Sequence, residues 1–150
     1  MATTLCEQLI PWHEDYGLGL DLIDEQHQRL FSLMNGVWEA LYSLVEDSAG
    51  ATSNLILELE NYARAHFNEE EEFMRETGYP RLESHRKAHE AFVSRIHAEK
   101  EALLAGNRVS LDLLMFLRDW LISHILVADR DYAGHAGYIG PAMAVLPEAA

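Results

Sequence analysis

Two histidines stand four residues apart in Glu83-Ser84-His85-Arg86-Lys87-Ala88-His89-Glu90, a stretch free of glycine and proline. At about 100° and about 1.5 Å per residue, positions i and i+4 share one helical face roughly 6 Å apart, so both imidazoles can converge on a single metal ion. His66 and Glu70 repeat that spacing, and His27 and His124 fall on the apolar stripes of two further helical segments. A fold for this chain must bring those four stripes together.

The stripes are read from spacing. From Leu22 the core positions Ile23, His27, Leu30, Met34, Val37, Leu41 and Leu44 follow a 4-3-4-3 pattern, predicting an amphipathic helix from an Asp21 cap to about Val45. Asp47-Ser48-Ala49-Gly50 reads as its break. Ser53 is expected to cap a second helix with the stripe Ile56, Leu59, Ala63, His66, Glu70 and Phe73, ended by Gly78 and Pro80. A third carries Leu82, His85, His89, Phe92, Ile96 and Leu103 to Ala105-Gly106-Asn107. Ser110 caps the fourth, with Leu114, Leu117, Leu121, His124 and Ala128.

Four helices joined by short breaks predict an all-α, antiparallel up-down-up-down four-helix bundle, because short loops force neighbours to alternate direction. The expected organisation is an irregular N-terminal arm over 1–20, with Trp12 and Tyr16 against the body, the bundle over 21–132, and a C-terminal tail over 133–150. The tail's apolar Ala142-Met143-Ala144-Val145-Leu146 is the candidate surface for self-association or a protein partner.

Composition narrows the function classes. A net charge of −14 opposes nucleic acid and anionic membranes, which both select lysine and arginine clusters. The single cysteine, Cys6, permits no internal disulfide. With no leader pattern and no run of about 18 apolar residues, a soluble cytoplasmic protein is expected.

His27, His66, Glu70, His85, His89 and His124 all lie on apolar stripes, where an unpartnered polar group costs a few kcal/mol to bury. Six such groups would nearly exhaust a domain stability of roughly 5–15 kcal/mol, and metal coordination is the compensation that fits imidazole and carboxylate. Asp129 is the seventh candidate. At i+5 from His124 it would lie about 140° off that face in a regular helix, so helix four must end or unwind near Ala128 to deliver it. Asp131 aligns with His124 but about 10 Å further along. In Glu69-Glu70-Glu71-Glu72 only Glu70 has both the register and the stripe position, and its neighbours read as a solvated face. His13, His97 and His135 read as surface or packing residues, and Tyr62 and Tyr132 as possible donors near the site.

The order His27, His66-x-x-x-Glu70, His85-x-x-x-His89 and His124-x-x-x-x-Asp129 resembles the hemerythrin family, in particular the bacteriohemerythrins. The flanking Ile23-Asp24-Glu25-Gln26-His27 and Trp120-Leu121-Ile122-Ser123-His124 resemble it too, and the likeness spans about Trp12 to Tyr132. It implies two non-haem iron ions with a bridging oxo or hydroxo. His85, His89 and His124 would hold one iron and His27 and His66 the other, bridged by Glu70 and Asp129. Counting those ligands leaves an open position on the iron of His27 and His66, and there the resemblance places dioxygen. Leu30, Phe31, Phe67, Trp120, Leu121 and Ile125 flank the histidines and are candidates for an apolar oxygen pocket.

The resemblance therefore implies a dioxygen carrier, store or sensor with no catalytic residue. A histidine-rich shell supports that reading, since bundle oxygenases use mainly carboxylates with Glu-x-x-His pairs, and no such pair spans the equivalent core positions. The alternatives are a di-iron enzyme reducing nitric oxide or peroxide, and a metal-stabilised interaction domain.

Overall fold

The computed structural model describes residues 8–41, 48–107 and 109–138. After a 3-10 turn at Glu14–Tyr16 come α1 (Asp21–Leu41), α2 (Ser48–Glu76), α3 (Leu82–Leu104) and α4 (Leu111–Ser123). A π-helical segment, His124–Asp129, carries α4 without interruption into α5 (Arg130–His135). Each rod packs on its neighbours in cyclic order, with α1 also meeting α4, so the molecule is the antiparallel four-helix bundle that the spacing predicts. No strand occurs among the described residues.

The stripes close the core. Leu30, Met34, Ile56, Leu59, Phe92, Ile96, Leu114 and Leu117 are fully buried, and the six ligand-type residues of the stripes lie among them. Ser110 caps α4 by accepting from the Leu113 N–H at 3.1 Å. Gly106, with φ of 97°, supplies the left-handed turn after α3 that a side chain would strain. Among the described residues, no helix is long and apolar enough to cross a membrane.

Two expected boundaries shift. α2 begins at Ser48 and not after Ser53, because Thr52 is buried and extends the stripe Ile56, Leu59, Ala63 by one turn, absorbing what reads in sequence as a break. Asp21 is the first residue of α1, and the carboxylate that secures this end is Asp24, which accepts from Leu18 N–H (2.8 Å) and Gly19 N–H (3.2 Å). The expected end of α1 at Leu44 and Val45, and the tail from Ile139 onward, lie outside the described residues.

The arm is fastened at several points. Trp12 and Tyr16 set their rings edge-on against Phe31, at 5.2 and 5.4 Å between centroids. Asn35, buried on α1, accepts from the Ile10 N–H (2.8 Å) and donates to the Ile10 carbonyl (3.1 Å). Arg130 donates to the Asp15 carbonyl. Asn35→Leu strands both Ile10 groups and should cost about 1–3 kcal/mol, read as a lower denaturant midpoint with an unchanged slope.

Candidate metal centre

Four helices each deliver part of one buried cluster. α1 brings His27, α2 brings His66 and Glu70, and α3 brings His85 and His89. The π segment brings His124 and Asp129. Their ligand atoms form two groups that share Glu70. One contains Glu70, His85, His89, His124 and Asp129, the other His27, His66 and Glu70, with the atoms of each within 4.8 Å of one another.

Asp129 arrives by a route the sequence does not announce. Helix four neither ends nor unwinds near Ala128; it widens, with the Arg130 N–H bonded to the Ile125 carbonyl five residues back. A turn closed i to i+5 takes up one extra residue and swings the fifth residue towards the first one's face. Asp129 Oδ1 accordingly stands 3.1 Å from His124 Nε2 and 3.0 Å from His85 Nε2, while Oδ2 stands 3.2 Å from His27 Nε2. Asp131 has a different duty. It lies partly exposed and accepts from Tyr79 and Arg81, clamping the α2–α3 connection to α5.

The donor set fits a metal on three counts. His27 Nε2, His66 Nε2, His89 Nε2, Glu70 Oε1 and both Asp129 oxygens are buried without a hydrogen-bond partner. Each such atom costs about 1–3 kcal/mol unless something else satisfies it. His85 Nε2 and His124 Nε2 lie 3.0 Å apart. Two nitrogens about 2.1 Å from one cation and at right angles fall about that far from each other, whereas two bare lone pairs would repel. Imidazole and carboxylate, finally, are ligands that iron accepts.

Electrostatics agree. Burial disfavours a charged imidazole at His27, but Asp129 and Glu70 outweigh it and raise its pKa to about 9. Glu70 and Glu71 raise His89 to about 9 against the same burial. Burial prevails at His66 and lowers it to about 4. Asp129, despite burial, is held well below the usual carboxylate range by His124, His27 and His85.

Partners behind the cluster complete it. His66 Nδ1 meets Gln26 Oε1 at 2.8 Å, His89 Nδ1 meets Glu71 Oε2 at 2.8 Å, and the buried Tyr132 hydroxyl donates to Glu70 Oε2 at 2.7 Å. Burial, followed by the charges of Glu70 and Asp129, drives the Tyr132 pKa far up, so the phenol keeps its proton. Glu71 is therefore not part of a solvated face, although Glu69 and Glu72 are exposed. Its position directly after Glu70, about 100° round the helix and facing α3, is the signal that would have found it.

Of the candidate pocket residues, Phe67 stacks flat on His89 (3.8 Å, 7°) and Trp120 on His124 (4.3 Å, 13°). Leu30, Phe31, Leu121 and Ile125 are buried in the core. His13 caps the 3-10 turn, His97 pairs with Glu60 at 3.2 Å, and His135 touches the Thr77 carbonyl. None of these three joins the cluster. Tyr62 is partly buried.

A four-helix bundle with a buried histidine and carboxylate cluster sized for two metal ions defines the class. Residues 18–136 match the family described as the hemerythrin HHE cation binding domain, and the chain belongs to the hemerythrin family. It is similar to the bacteriohemerythrin of Stenotrophomonas maltophilia (35% identical over 125 residues, 83% of this chain and 80% of that protein). It is also similar to that of Clostridium acetobutylicum (32% identical, covering 81% of this chain and 96% of that one). Its fold superposes on the crystal structure of wild-type hemerythrin with a TM-score of 0.78 at 25% identity, over 85% of this chain and 98% of that one. Family membership carries dioxygen binding at a non-haem di-iron centre with an oxo bridge.

A metal binds neutral imidazole, and below about pH 9 the metal-free cluster holds protons on His27 and His89 that must leave first. Apparent affinity for Co(II) should thus climb from pH 6.5 to about 9 with release of about two protons per loaded chain, then level off. Metal titration with a pH indicator reads both quantities, and a flat profile contradicts the assignment.

Proposed function

We propose that this chain binds dioxygen reversibly, as a carrier, store or sensor, and does not turn over a substrate. His85, His89 and His124 would hold one iron, His27 and His66 the other, with Glu70 and Asp129 as the carboxylates shared by both. The observation that carries this reading is the set of buried ligand atoms with no partner but one another.

When bound, the iron pair supplies the electrons by which dioxygen is held and later given back. The chain's own task is to keep that exchange from running on to products. His27 and His66 are among the most deeply buried of the imidazoles, at 0% and 1% exposure, so an iron that they would hold would be shielded from bulk water and small acids. Leu30, Phe31, Leu121 and Ile125, with Phe67 and Trp120, form the apolar lining. Tyr132 holds its proton at the hydroxyl and directs it to Glu70, fixing the carboxylate's orientation. Five neutral imidazoles also bring less negative charge than a carboxylate-rich shell, which disfavours high-valent iron and the oxidations it performs.

Anaerobic iron loading followed by oxygen titration tests the reading. A coloured oxygenated form that reverts under vacuum supports binding; rapid decay with consumption of nitric oxide, peroxide or an organic substrate supports the enzyme instead. His124→Ala should lose much of the metal, and His97→Ala should keep two irons per chain; equal loss in both counts against the ligand set.

A further inference from the structure

Every imidazole of the cluster turns Nε2 towards the carboxylates, so a metal there leaves the ring proton on Nδ1. What that proton meets differs between the two ends. His89 Nδ1–H donates to the carboxylate of Glu71, and His66 Nδ1–H donates to the carboxamide of Gln26, both at 2.8 Å. His27 Nδ1 has no partner among the described residues. The two bonds are equal in length and unequal in charge.

A carboxylate acceptor draws the Nδ1 proton outward and shifts electron density towards Nε2, making the ring a stronger donor to a highly charged metal; a neutral carboxamide does so weakly. The Glu71 side chain is only 14% exposed and makes its short contact with His89 Nδ1, while Arg86 feels its charge from further away. Phe67 lies flat against the same ring, 3.8 Å between centroids. At the other end no charge backs either imidazole through Nδ1.

We propose that Glu71 and Gln26 are positioning residues that make the two iron positions electronically unequal. Glu71 favours the ferric state at the position of His85, His89 and His124. Gln26 leaves the position of His27 and His66 with weaker donors, favouring ferrous iron and release of dioxygen where the open site lies. The inference rests on the ligand allocation proposed above.

The test uses Glu71→Gln and Gln26→Glu, each sufficient alone. With two irons per chain retained, the midpoint potential should rise in Glu71→Gln and fall in Gln26→Glu, with autoxidation severalfold slower in the first and faster in the second. Mössbauer spectra of the half-oxidised parent should place ferric iron at the three-histidine position, and the double exchange should move it to the other. In the Zn(II)-loaded protein, which involves no redox chemistry, the His89 Nδ1 proton should resonate downfield of that of His66 and move upfield in Glu71→Gln. Unchanged potentials at full iron content overturn the proposal, as does iron loss in both variants without a shift in what remains. A parent chain that takes up no iron overturns the ligand allocation and the proposal with it.

Discussion

Taking seven polar side chains out of water is the cost around which this bundle is arranged. An isolated carboxylate in a protein interior is held at a penalty of several kcal/mol, and Glu70 and Asp129 are both entirely buried. Imidazoles on four helices offset part of that penalty, and a metal pair offsets the rest. No single helix could do so, because each contributes at most two of the groups. The bundle's cyclic packing is therefore the geometric condition for the site, and the site in turn ties the four rods at one level of the core.

The surrounding structure serves the same end. The arm lies across α1 and is tied to Asn35, Asp24 and Arg130, which follows Asp129 directly in the chain. Asp131 fastens the α2–α3 connection near the same point. Tyr132 reaches from α5 to Glu70 on α2. Three successive residues after Asp129 thus hold three different parts of the chain around it. Away from the centre, the buried Glu60 binds α2 to α3 through Lys100 and His97 and is braced within α2 by Arg64, an arrangement that accounts for one histidine the centre does not use.

What the sequence discloses is what regular helical geometry controls. The four stripes, the i, i+4 pairs His85/His89 and His66/Glu70, and the core slots of His27 and His124 follow from the period of an α-helix. The start of α2 was obscured because alanine, serine and glycine serve equally in a first turn and in a loop. Asp129 could be named as a candidate but not explained, since its placement depends on a departure from that period. Glu71 was hidden for another reason: it stands among four consecutive glutamates, and charge pattern alone cannot tell the one facing a neighbouring helix from those facing water. Gln26, a neutral residue beside His27, carries no signal until its partner across the bundle is known.

The widened turn at His124–Asp129 has a consequence for length variation in chains of this kind. Elsewhere in a rod, one additional residue rotates everything beyond it by about 100° and would carry Tyr132 away from Glu70. Here the backbone has already swallowed such an addition and resumed an ordinary pitch beyond it. The same few residues are thus where this rod tolerates a change of count, and where restoring perfect regularity would be the more disruptive event.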